Sequence, residues 1–184
     1  MNKICVLKEL GFKISWNLIA IGLYGNGEIP PSITYSDVVD YLDDLLTNVD
    51  EQTDNIVALI CEKDDSTEFD KLLKKLANKD HSDIVVQKRK WRACLLKILI
   101  DNINKDCLQG LLELMEFWIS MGKPNDCPQI FPSSDNKKSI QDYFTQASYD
   151  FNLNKNREWL NDEIQSIVKS ESTLAEPKTA NNQS

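Results

Sequence analysis

The 184-residue chain is 41% hydrophobic and 27% charged, with a net charge of −8 at pH 7. A single domain of roughly 100–200 residues accounts for that length, and the apolar fraction excludes a wholly disordered chain. The negative balance opposes nucleic-acid binding, no run of about 18 uncharged apolar residues offers a membrane span, and five cysteines without a C-x-x-C pair exclude a disulfide framework or zinc knuckle.

The first nine residues, Met1 to Glu9, contain too short an apolar run for a secretory core and no small-residue cleavage site. The cytosol is the expected compartment, with the cysteines reduced. Ser15 is placed to cap a helix carrying Trp16, Leu18, Ile19, Ile21, Gly22 and Leu23. That helix should stop in Gly25-Asn26-Gly27 before Pro30-Pro31, because Gly and Asn accept positive φ cheaply and proline cannot continue a helix. Thr34 with Asp37 at the third position predicts a second helix, its apolar side formed by Val38, Tyr41, Leu42, Leu45 and Leu46.

Thr53 or Asp54 opens a short helix with Ile56, Val57, Leu59 and Ile60. Ser66 opens another with Phe69, Leu72, Leu73 and Leu76 at helical spacing. Between Ile84 and Met121 two core helices are predicted, the first with Trp91, Leu95, Ile98 and Leu99. The second carries Leu108, Leu111, Leu112, Met115, Trp118 and Ile119, with the break between them near Asn102 to Asp106. Cys61, Cys94 and Cys107 fall in these apolar patterns and are expected in the core. Pro124 and Pro128 make Gly122 to Ser134 a surface loop.

Two further helices fit the spacing, one from about Lys138 to Phe151 and one from about Lys155 to Lys169 with Trp159, Leu160, Ile164, Ile167 and Val168 inside. From Ser170 to Ser184 periodicity and aromatic residues are lacking. The expectation is an all-α, single-domain antiparallel bundle of about seven to nine helices over residues 1–169, with a disordered tail at 170–184.

Residues suited to catalysis are sparse. The single histidine, His81, lies in a polar connector and reads as a solvated loop or cap residue, with no nucleophile and carboxylate placed beside it. Gly25-Asn26-Gly27 lacks the strand-to-helix context of a phosphate cradle. Asp43-Asp44 and Asp64-Asp65 could serve as acids or bases, but the run Asp64-Asp65-Ser66 lacks the alternating ligands and glycine of a calcium loop. No catalytic, cofactor-binding or metal-ligating residue is assigned, and no cofactor is expected.

The charge is segregated. From Tyr35 to Asp70 twelve acids face one base, whereas from Lys71 to Lys105 ten bases face three acids. On the second helix Asp37, Asp40 and Asp44 recur opposite the apolar side, where like charges at this spacing mildly destabilise an isolated helix. One explanation is solvation plus attraction to the basic stretch within the fold. The other is a negative surface, Asp37, Asp40, Asp43, Asp44, Asp50, Glu51 and Asp54, offered to a basic partner. The run Lys88-Arg89-Lys90-Trp91-Arg92 joins cations to an aromatic, as nucleic-acid sites do, but Trp91 lies in register with Leu95 and Ile98 and therefore reads as core.

The segment Gly11 to Leu23, the run Asp37-Val38-Val39-Asp40-Tyr41, Lys90-Trp91-Arg92 followed by Leu95 to Asn102, and a loop bounded by Pro124 and Pro132 resemble the bacterial domain-of-unknown-function family numbered 2247. The likeness covers most of residues 4–132 and departs from Ser133 onward. The chain is also similar to immunity proteins of contact-dependent growth inhibition and other polymorphic-toxin systems. That resemblance implies a helical module that covers the active site of a cognate toxin's C-terminal domain, basic and nuclease-like, without touching nucleic acid or membrane itself. Tyr24, Phe131 and Tyr143 are candidates for the buried anchor such an interface needs. Two other readings compete: a small metal-dependent hydrolase using clustered carboxylates, and a helical adaptor with no toxin involved.

Overall fold

The computed structural model describes residues 2–46, 53–62, 66–132 and 143–173. Among them the chain forms eight α-helices and no strand: α1 (Lys3–Glu9), α2 (Trp16–Tyr24), α3 (Tyr35–Leu46), α4 (Thr53–Cys61), α5 (Ser66–Lys79), α6 (Ile84–Asn102), α7 (Cys107–Ser120) and α8 (Gln146–Thr173). None of the described helices is long and apolar enough to cross a membrane.

Side-chain caps set several of the starts. The backbone N–H of Leu18 donates to Ser15 Oγ, that of Val85 to Asp83 Oδ1 and that of Gln109 to Asp106 Oδ1, each satisfying a donor that the first turn leaves without a partner. Helix α2 ends where Gly25 and Gly27 take φ of 72° and 84°, and the Asn26 N–H donates to the Ile29 carbonyl. That donor is spent inside the turn. Helix α1 is capped in the same way, the Ile4 N–H donating to Asn2 Oδ1, and its buried Ile4, Val6 and Leu7 pack it into the core.

Helix α6 is the centre. It packs on α1, α2, α7 and α8, whereas α3 packs on α1 and α4. Trp91 is fully buried and its indole N–H donates to the Leu18 carbonyl at 2.7 Å. The close crossing of α2 over α6 depends on Gly22, where an added Cβ would lie 2.1 Å from the Trp91 ring. On α7, Leu111 and Trp118 point inward as the spacing predicts and Leu114, outside the expected set, is buried with them, but Leu108 and Ile119 are half-exposed and do not belong to the core. Cys94 is buried, Cys107 is partly buried and Cys61 is exposed, so the expected core position fails for Cys61. Its place near the end of the short α4 leaves that side uncovered.

The largest departure is α8. Two helices with a break near 152–155 are expected, yet one helix runs unbroken through that stretch and on past Lys169 to Thr173. The asparagines that read as a break face inward. Asn156 accepts from the Trp118 indole at 2.6 Å and donates to Gln129 Oε1, and Asn152 accepts from the Ile130 backbone N–H. Satisfied polar groups cost little when buried, so weak helix propensity is overridden by tertiary bonds. The part of the first expected helix between residues 138 and 142 lies outside the described residues, as do residues 174–184 of the expected tail.

The last turn of α8 has a structural task. Glu171 pairs with Lys90 at 2.6 Å, an ammonium left only 1% exposed, and Lys90 also donates to the Lys13 carbonyl. The Lys13 backbone N–H donates to the same carboxylate. Removing one member of a buried pair leaves the other uncompensated, at a cost of about 3–5 kcal/mol. A chain ending at Lys169 is therefore expected to melt roughly 10 °C below one ending at Thr173. Equal melting temperatures would show that Glu171 is not needed to keep Lys90 buried.

Candidate functional site

The acidic residues singled out from the sequence separate into distinct roles. Asp37 is a capping residue: Thr34 N–H and Oγ1 both donate to its carboxylate at 2.8 Å, and its own N–H donates to Thr34 Oγ1. This reciprocal box fixes the first turn of α3. Val38, Tyr41 and Leu42 then bury one side of the helix, which leaves Asp40, Asp43 and Asp44 exposed on the other. Asp54 is exposed in the first turn of α4, where a negative charge suits the helix dipole. Asp50 and Glu51 lie outside the described residues, as do Asp64 and Asp65.

The basic run Lys88 to Arg92 of α6 is engaged elsewhere. Lys88 pairs with Glu28 at 3.1 Å, and Arg89 grips Glu163 with Nε and a terminal nitrogen at 2.8 and 2.7 Å. Arg92 lies between Asp126 and Glu163 and stacks over the Trp159 ring. The cations of α6 thus point to α8 and to the loops around Glu28 and Asp126. None of the described ion pairs involves Asp40 or Asp43. The topology explains this, because α3 packs on α1 and α4, away from α6. Among the described residues no group of three His, Cys, Asp or Glu side chains converges to hold a metal ion, and His81 is exposed.

A cleft of about 210 Å³ opens beside this acidic side, lined by Ile14, Trp16, Ile19, Tyr41, Leu45 and Asp80. Asp80, from the end of α5, crosses to the start of α2. Its carboxylate accepts from the Asn17 backbone N–H at 2.9 Å and from that of Ser82 at 2.9 Å. Burial raises its pKa, but these bonds and the hydroxyls of Ser82 and Ser15 outweigh burial and hold the carboxyl below its usual value. Asp80 therefore places a stable negative charge in a lining that also holds Ser15 and the side chains of Trp16 and Tyr41. Sequence reasoning missed it, since its partner Asn17 is 63 residues away and no local motif links the two.

The anchor candidates are engaged elsewhere. Tyr24 and Tyr35 both donate to Asp70 Oδ1, at 2.6 and 2.5 Å, and Lys74 sits over the Tyr24 ring. Burial, followed by the Asp70 bond, pushes the Tyr24 hydroxyl far above its ordinary pKa. Tyr143 is half-buried and accepts from Gln129 at 2.8 Å, and Phe131 lies under the Lys123 ammonium.

A family model described as "uncharacterized protein conserved in bacteria (DUF2247)" matches residues 6–164. The match continues beyond Ser133, where the sequence resemblance was expected to end, and takes in most of α8. No curated protein and no solved structure matches the chain.

The Asp80 geometry has a pH signature. A carboxyl whose folded pKa is lowered adds stability above its unfolded value, and that stability disappears as pH falls through the folded value. Asp80→Ala is expected to cost about 1–2 kcal/mol at neutral pH. The gap between the two proteins should narrow as pH falls below the ordinary aspartate value of about 3.9, as protonation removes the same bonds from the parent chain. Denaturant titrations at a series of acidic pH values check this, and a gap that does not narrow would contradict it.

Proposed function

The chain belongs to this family of uncharacterized proteins conserved in bacteria, and from the charge distribution of its helices we propose that it is an immunity protein: a helical module that binds a basic toxin domain and blocks its substrate cleft. The observation that carries the reading is the exposed acidic side of α3, where Asp40 and Asp43 have no ion-pair partner among the described residues while the cations of α6 are paired elsewhere. Like charges held together on one helix side destabilise it slightly, and a partner that neutralises them recovers that cost on binding.

A nuclease cleft is built to attract phosphates, and carboxylates at the same spacing compete for its lysines and arginines. Such a surface mainly accelerates encounter, by about 10- to 1,000-fold, and orients the partner. Exposed pairs contribute only about 0–1 kcal/mol each, so the affinity must come from a desolvated contact beside them.

Replacing Asp40, Asp43 and Asp44 with lysine is expected to slow association with the toxin domain encoded next to this chain by roughly tenfold or more at low salt. The helical circular-dichroism signal should stay unchanged, and the salt dependence of association should fall. Stopped-flow association at two ionic strengths measures both. An unchanged rate would remove α3 from the interface, and a chain that binds no product of a neighbouring gene would leave a toxin-independent adaptor as the better description.

A further inference from the structure

We infer that the cleft between α2, α3 and the α5–α6 connection is the anchor pocket of the interaction surface, taking one arginine side chain of the basic partner. The inference rests on the acidic-surface reading above and supplies the desolvated contact that reading lacks.

Size decides first. A cleft of about 210 Å³ falls short of the roughly 300–1,000 Å³ that holds a small-molecule ligand, but it accommodates a single side chain. Its lining selects which one. Trp16 and Tyr41 offer aromatic surface, Ile14, Ile19 and Leu45 line an aliphatic wall, and Asp80 supplies the carboxylate. A planar, weakly hydrated guanidinium stacks on aromatic rings and donates in pairs to a carboxylate, and its three-carbon stem prefers apolar contact. The chain already shows that Tyr41 accepts a cation, because the Lys8 ammonium lies 4.7 Å from its ring centre.

Asp80 offers a guanidinium its charge. Its oxygens already accept the backbone N–H groups of Asn17 and Ser82 and the hydroxyls of Ser82 and Ser15, so a cation beside it is held by electrostatic attraction and by the aromatic rings. Its hydrogen bonds also fix its position before a ligand arrives, so little ordering cost remains at binding. None of the described ion pairs uses it.

One helix carries both features. Tyr41 and Leu45 line the cleft from the inward side of α3, whose outer side carries Asp40, Asp43 and Asp44. No lysine or arginine is in the lining. The other cleft of similar size, about 200 Å³, is lined by Lys88, Arg89 and Arg92 and has the wrong sign for a basic partner.

A capped peptide with one arginine between lysines, and its twin with citrulline in place of the arginine, separate the pocket from the general charge. The arginine peptide is expected to bind at least tenfold more tightly, about 1.4 kcal/mol, with amide and indole shifts at Trp16 and Leu45 in nitrogen-15 spectra. Leu45→Trp, which fills the cleft, should reduce it to the level of its twin. Ile14→Lys, on the loop before α2, should do the same by supplying a competing cation, and it stands in should the tryptophan variant fail to fold. Asp40→Lys with Asp43→Lys should weaken both peptides alike and leave their ratio intact. Equal binding of the two peptides, or a preference that survives in a folded cleft variant, overturns the pocket. Loss of both peptides on reversing Asp40 and Asp43, without any arginine preference, would sink the pocket while sparing the acidic surface. An arginine preference with both affinities unchanged by that reversal would spare the pocket and sink the acidic surface.

Discussion

The interaction on which the rest depends is the pairing of α6 with the acids of α8. Arg89 holds Glu163 with two donors, Arg92 shares that carboxylate, and Lys90 is buried against Glu171. A charge-assisted, bidentate contact of this kind fixes both distance and register between two helices. It also engages three of the ten bases that follow the acidic stretch in the linear sequence, Arg89, Lys90 and Arg92. The negative side of α3 therefore keeps its charge at the surface, and an electrostatic function becomes available to it.

The same pairing shapes the recognition surface. Glu171 receives the Lys13 backbone N–H and, through Lys90, the Lys13 carbonyl is bound as well. The loop that enters α2 is thus tied to the far end of α8, and Ile14, next along that loop, lines the cleft. From the other side, the Trp91 indole holds the Leu18 carbonyl and allows α2 to lie close over Gly22. Two buried contacts made by neighbouring residues of α6, Lys90 and Trp91, position the start of α2 where Asp80 can reach it. Local sequence, core packing and the candidate interface are linked through one helix.

Much of this was legible in the residues. Ser15, the Thr34–Asp37 box and the glycine stop after Tyr24 act through neighbours within four positions, so their signals are local. Trp91 was placed in the core by its register with Leu95 and Ile98, and it is fully buried. Other features depend on partners distant in the chain. Lys90, in the basic run Lys88 to Arg92, gave no sign of burial because Glu171 lies 81 positions away, and α8 was divided near Asn152 because Ile130, whose backbone N–H that side chain accepts, is not its neighbour. Asp80 gave no signal at all, since an aspartate ahead of a helix cap is common and only the fold brings it to Asn17.

The central claim is that Arg89, Lys90 and Arg92 of α6 are bound to acids of α8 and are not available to α3. Double-mutant cycles on folding stability test it most directly, one crossing Arg89→Gln with Glu163→Gln and the other crossing Arg92→Gln with Asp43→Asn. The account predicts coupling of roughly 0.5–3 kcal/mol for the first pair and a value within about 0.3–0.5 kcal/mol of zero for the second. A vanishing first coupling, or a second as large as the first, would mean that the acids of α3 are neutralised within the chain and would contradict the account.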